Sequence, residues 1–206
     1  MKPFKYISQQ SALLVGLLFL FACNNKETVP AKNAGEDKPA LNKNADHFPY
    51  YKDIAIKPGL NFEVVSWGKG VDSVGGYLVL MSDSTRNNYK SLSVEREGII
   101  TDAWNMDLDN DGNPELYIEL LSKKTTKDLN VYEYSNGSFN KISFPALSSR
   151  AKKTYGGNDK FTIKNGELFR SYPIVNSTDT AVQNGSEKML LYRLRGNSFS
   201  IDEITK

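Results

Sequence analysis

The feature that most constrains this chain is a set of two-residue turn signals, each flanked by segments whose side chains pair consistently when folded back on themselves. Around Asn165-Gly166, Lys164 falls opposite Glu167 and Ile163 opposite Leu168, so a salt pair closes the turn and an apolar pair follows it. Around Gly196-Asn197, Leu194 faces Phe199 and Tyr192 faces Ile201, with Arg193 and Ser200 on the other side; around Asn136-Gly137, Tyr134 meets Phe139. Such turns close only antiparallel hairpins. Further short segments rich in β-branched and aromatic residues run from Phe62 to Trp67, Gly76 to Met81, Ser91 to Arg96, Ile99 to Met106 and Leu116 to Leu121. The expected fold is therefore all-β and mainly antiparallel, a sandwich or a partly closed curved sheet of about ten short strands. One short helix is expected over Pro145 to Thr154, with Pro145 in its first turn and Gly156-Gly157 as its stop. No period of 20–50 residues repeats, which argues against a solenoid or a propeller.

The β pattern begins near Phe48, and what precedes it is of another kind. Met1 to Gln10 carries Lys2 and Lys5 and no acid, and Ala12 to Ala22 is an uncharged apolar run. Such a run is too short for the roughly 20 residues that a membrane-crossing helix needs, and residues 1–22 read as a secretory signal. Leu20-Phe21-Ala22-Cys23 resembles a bacterial lipobox, although Phe21 is bulkier than usual there. Cys23, the only cysteine in the chain, would be lipidated on sulfur and become the new N-terminus. Two or more acyl chains, at about 0.8 kcal/mol per buried methylene, anchor a protein stably without a span. From Asn24 to Asp46 the only large aliphatics are Val29 and Leu41, too little apolar surface to offset ordering. Residues 23–46 thus read as the lipidated Cys and a flexible tether with an r.m.s. span of about 26 Å, and residues 47–206 as a single β domain. Lys26-Glu27 resembles the acidic export tags of bacterial surface lipoproteins. The expected location is the cell envelope, with the outer membrane or cell surface favoured, facing periplasm or exterior.

Charge and composition exclude several functions. The 26 Lys and Arg stand against 24 Asp and Glu, and removal of Lys2 and Lys5 with the signal leaves a balanced chain, unlike a nucleic-acid binder. One Cys and one His exclude internal disulfides, Cys-rich zinc sites and Cys/His catalysis. The one imidazole, His47, sits where tether meets domain, a poor place for a preorganised base. No spacing singles out a carboxylate pair for glycoside hydrolysis, and no enzyme is expected.

The sharpest motif is Asp107-Leu108-Asp109-Asn110-Asp111-Gly112-Asn113-Pro114-Glu115. Acids at its positions 1, 3 and 5, Gly at 6 and an acid at 9 suit a hard, oxygen-seeking cation such as Ca²⁺, because a tight turn folds alternate side chains inward. Ile118 stands where an EF-hand has its bidentate Glu, so the motif is a shorter hairpin loop, with Asp107, Asp109, Asp111, Asn113 and Glu115 as candidate ligands. The alternative is a solvated turn without an ion.

Gly59 to Ile204 resembles the family of periplasmic inhibitors of invertebrate-type (i-type) lysozyme and its lipoprotein relatives. The resemblance rests on Gly59-Leu60-Asn61-Phe62-Glu63-Val64, on Asp107 to Ile118, and on Tyr155-Gly156-Gly157-Asn158-Asp159-Lys160-Phe161 through Phe169-Arg170-Ser171-Tyr172-Pro173-Ile174 to Tyr192-Arg193-Leu194. It implies a small, exported antiparallel β domain without enzymatic activity, whose protein partner is a lysozyme plugged at its cleft by a loop. That loop maps to Ser122 to Leu129, with Ser122, Thr125, Thr126, Lys127 and Asp128 as the partner-binding residues, on an expected exposed tip before a strand starting at Asn130. Where inhibitory members carry Ser-Gly-Ser-Tyr, this chain has Thr125-Thr126-Lys127-Asp128, and weak or no inhibition is expected. The alternative from another class is a structural, or Ca²⁺-stabilised, envelope lipoprotein of the same fold.

Overall fold

The computed structural model describes residues 48–68, 75–122, 125–176 and 179–204, with the backbone alone for 176 and 179–185. All belong to one compact unit, Asn42–Lys206. The expected signal and tether, with Cys23, His47, Lys123 and Lys124, lie outside the described residues.

Twelve strands among the described residues form three four-stranded antiparallel sheets. The first holds β1 (Tyr50–Lys57), β2 (Leu60–Trp67), β3 (Gly76–Asp83) and β4 (Asn88–Glu95) in chain order. The middle sheet holds β5 (Ile99–Met106), β6 (Glu115–Leu121), β7 (Lys127–Ser135) and β8 (Ser138–Ile142). The third holds β9 (Lys160–Lys164), β10 (Glu167–Asn176), β11 (Asp179–Arg195) and β12 (Ser198–Ile204). The all-β, sandwich-like architecture expected from the sequence is the one observed.

Local turn chemistry explains the meanders. Asn136 and Gly137 have φ of 51° and 76°, Asn165 and Gly166 of 53° and 77°, and Gly196 and Asn197 of 50° and 61°. Two consecutive left-handed residues match the right-handed twist of the strands they join, and Asn and Gly tolerate that conformation best. The pairs Lys164 with Glu167, Ile163 with Leu168, Leu194 with Phe199, Tyr192 with Ile201, Arg193 with Ser200 and Tyr134 with Phe139 all occur.

The middle sheet is covered on both faces. Leu116, Ile118 and Leu120 of β6 point with Tyr132 toward the first sheet, where they meet Phe62, Val64, Tyr77, Val79 and Met81. Tyr117, Leu129, Val131 and Ile142 point the other way, onto Leu168, Tyr172, Leu190, Tyr192 and Leu194 of the third sheet. Strand β6 is buried along nearly its whole length, which is why Glu115-Leu-Tyr-Ile-Glu-Leu-Leu121 reads as a run and not as an alternation. In the first core Phe62 is closed in by the edges of Tyr134 and Phe139, 5.6 and 5.3 Å away between ring centres.

Three boundaries depart from expectation. The helix α1 covers only Ser149–Lys153, because Ser148 caps it, its Oγ accepting from Ala151 N at 3.1 Å. Pro145 is not in its first turn; residues 143–148 are irregular and bury Leu147 in the second core. Strand β1 answers no expected segment, and β7 starts at Lys127, not Asn130, extending its ladder to Leu121.

Candidate functional site

Two loops singled out in the sequence lie at the ends of β6. At its start, Asp107, Asp109, Asp111 and Glu115 converge, with oxygens from each within 4.8 Å of one another. The β5–β6 turn is tight because the Asp107 carboxylate accepts from Asp111 N and Gly112 N, both at 3.0 Å, while Asp111 accepts from Asn113 N at 2.8 Å. Asn113, the fifth candidate ligand, donates through its side-chain amide to Asp111 at 2.9 Å.

Beneath the loop stands a polar group that exposed acidic turns lack. Glu115 is the first residue of β6 and has no solvent exposure. One of its oxygens, Oε2, accepts from Leu108 N at 2.7 Å; the other, Oε1, has no hydrogen-bond partner, and neither has Asp109 Oδ1. Burial, reinforced by the charges of Asp109, Asp107 and Asp111, pushes the Glu115 carboxyl up to about 8. The fully buried Tyr117 hydroxyl lies near Glu115 but outside hydrogen-bond geometry, and Trp104, stacked on Tyr117 at 5.7 Å, keeps its indole N–H equally unpartnered. Across the ladder Glu115 pairs with Glu133, another buried acid. Asp107 and Asp109 also line a groove of about 650 Å³ whose far wall is the Asn165-Gly166 turn and Tyr192 to Arg195 of the third sheet.

At the other end of β6, the expected exposed tip is shorter and more firmly held. Thr125 and Asp128 are exposed, whereas Ser122, Thr126 and Lys127 are half-buried. Lys127 lies in β7 and its ammonium meets Glu119 at 2.7 Å, so it is a paired strand residue and not a projecting one. The turn closes through Ser122 N on Thr126 O at 3.0 Å.

A brace from the segment before β9 holds this turn. Asn158 N donates to Thr125 O at 2.6 Å, and Lys127 N donates to Asp159 Oδ2 at 3.1 Å. Asp159 is bound in turn by Arg170 Nε at 2.7 Å and by the Tyr155 hydroxyl, while Arg170 donates to Lys127 O at 3.1 Å. Both members of the ion pair are buried, with side-chain exposures of 4% and 0%. Burial works against the Arg170 charge, yet the bond and charge of Asp159 outweigh it and hold the guanidinium above its usual range. Gly157 lets this segment approach: its φ is +72°, and a Cβ there would stand 2.6 Å from Thr125 Oγ1.

Asp159, Arg170, Tyr155 and Glu133 escaped sequence reasoning as site residues. A signal existed for Arg170, which falls in phase with Leu168 and Tyr172 on the face of β10 that faces the core; none existed for its partner. Compared with protein-family models, with curated proteins and with solved structures, the chain matches none.

Proposed function

We propose that this chain is a lipid-anchored, non-catalytic binding domain of the bacterial envelope, related to the inhibitors of i-type lysozyme, with the β6–β7 turn as its contact element. The brace carries this reading. Tyr155 to Asp159 and Arg170, which belong to the stretches on which the resemblance rests, grip the backbone of the turn that such inhibitors use. A contact loop ordered before binding loses less conformational freedom on association, which favours affinity. The envelope placement rests on Leu20-Phe21-Ala22-Cys23, where the only cysteine stands at the position that lipidation requires.

A second reading, a structural envelope lipoprotein of the same fold, is favoured by Lys127. Its ammonium is engaged with Glu119 and is not offered to a partner. An activity titration of i-type lysozyme against the soluble protein separates the two. The expected result is weak or no inhibition by the natural sequence and a gain on grafting Ser-Gly-Ser-Tyr onto Thr125 to Asp128. The graft keeps the backbone brace and gives up the Lys127–Glu119 pair. If the graft folds and still does not inhibit at micromolar concentration, the structural reading replaces the first; nanomolar inhibition by the natural sequence would refute the assignment of Lys127 as the obstacle.

A further inference from the structure

Acidic turns on protein surfaces commonly hold no ion, and three of the four clustered acids, Asp107, Asp109 and Asp111, are ordinary members of such a turn. What lies under it is different. Glu115 is wholly buried with Oε1 unpartnered, Asp109 Oδ1 is likewise buried and unpartnered, and the buried hydroxyl of nearby Tyr117 has no partner either. A buried polar atom left unsatisfied destabilises the fold, more so where it is charged. Glu133, buried directly across the ladder, adds a second acid on the same face, an arrangement that strand pairing disfavours. Among the described residues, none of the ion pairs gives any of the four clustered carboxylates a Lys or Arg partner.

We infer that the β5–β6 loop binds one Ca²⁺ through Asp107, Asp109, Asp111 and the buried Glu115, and that this ion staples the middle sheet to the third. The number and spread of the oxygens favour Ca²⁺. Oxygens on opposite sides of a Ca²⁺ ion, each about 2.3–2.6 Å from it, stand about 4.6–5.2 Å apart, whereas around Mg²⁺ they stand about 4.0–4.2 Å apart. The four oxygens lie within 4.8 Å of one another, inside the span across a Ca²⁺ ion, and four carboxylates suit Ca²⁺ better than Mg²⁺, which is usually held by one or two and keeps several waters. Four carboxylates leave two or more of the usual 6–8 oxygen positions to water. The staple runs through Asp109: its Oδ1 is buried and unpartnered, while Oδ2 accepts from Gly196 N at 3.2 Å, in the β11–β12 turn, 87 residues away in sequence. Fixing that carboxylate on an ion fixes the acceptor on which the third sheet's turn rests.

The experiment takes the full-length protein stripped with a chelator and adds Ca²⁺ or Mg²⁺. Melting temperature, metal content after desalting and exchange of the Gly196 amide are read together. At a hundredfold excess over Kd, Ca²⁺ should raise the melting temperature by roughly 5–10 °C, with Mg²⁺ doing markedly less, and should slow Gly196 exchange. Asp111→Asn, on the exposed side of the loop, should weaken the effect at least tenfold in Ca²⁺ concentration; Glu115→Gln should abolish it. Asp111→Asn keeps the test valid if the Glu115 variant fails to fold. No retained metal and an unchanged melting temperature in millimolar Ca²⁺ would reduce the loop to a turn. An equal response to Mg²⁺ would overturn the ion's identity, and Ca²⁺ binding without protection of Gly196 would overturn the staple.

Discussion

Replacing Asp159 by Ala should cost the domain far more than its position in an irregular segment suggests. The carboxylate is buried and accepts from Arg170 Nε, Lys127 N and the Tyr155 hydroxyl. Without it the Arg170 guanidinium stays buried with Lys127 O at 3.1 Å and the rings of Tyr155 and Phe161, 5.9 and 5.3 Å from its carbon, as company. Removing one partner of a buried ion pair costs about 3–5 kcal/mol. The three lost hydrogen bonds, all accepted by the same carboxylate and each worth about 1.5–3 kcal/mol, are contained in that figure and not added to it. In a domain of this size that corresponds to a fall in melting temperature of roughly 6–20 °C. Arg170→Met in the same chain removes the stranded charge, so the double variant should be more stable than Asp159→Ala alone, with the Tyr155 hydroxyl and Lys127 N–H accounting for the residual loss. Urea unfolding of the four proteins measures the coupling as a double-mutant cycle. A loss below about 1 kcal/mol in Asp159→Ala, or a double variant no better than the sum of the singles, would show that the pair does not hold the β6–β7 turn.

Three further outcomes are expected. In chelator, the Glu115 carboxyl is raised to about 8 from 4.5, so the native state holds a proton over that interval that the unfolded chain has lost. Stability should therefore fall as pH rises from 4.5 to 8, by at most about 4–5 kcal/mol, and Glu115→Gln should flatten that slope; a rising or level profile in the parent would contradict the burial of this charge. Gly157→Ala should destabilise by about 1–2 kcal/mol from the left-handed backbone alone, checked by denaturant midpoint, and an unchanged midpoint would mean that the segment can relax away from Thr125. Cys23→Ala should release the protein from membranes or stall its processing, read by fractionation and intact mass; parent protein without acyl mass from a competent bacterium would refute the anchor.

Sequence by itself determined whatever depends on near neighbours. Asn136-Gly137, Asn165-Gly166 and Gly196-Asn197 force left-handed turns, and a two-residue turn dictates which side chains meet across it, so three hairpins and their registers were legible. The spacing of Asp107, Asp109, Asp111 and Glu115 was legible for the same reason, since a tight turn gathers alternate residues. Strand β1 was hidden because its outward side chains include Tyr51 and Asp53, and only Ile54 is buried, so its apolar face is thin; the Pro58-Gly59 turn that closes it was the available signal. The helix was overestimated because Pro145 suits a first turn as well as an extended segment, and burial of Leu147 with capping by Ser148 decided between them.

Tertiary structure alone decided how the sheets stack, and with it the character of both loops. A strand's alternation tells which residues share a face but not which sheet covers that face. Nothing local indicates that β6 is enclosed on both sides, that Glu115 thereby loses all contact with water, or that Glu133 stands opposite it. The grip of Asp159 on Lys127 joins positions 32 residues apart, and that of Asp109 on Gly196 positions 87 apart. Such contacts form only after the entropy of closing long loops has been offset by burial of the two cores. The acidic motif was thus written in the chain, while the buried, unpartnered oxygen that makes it a candidate ion site came from packing the middle sheet between two others.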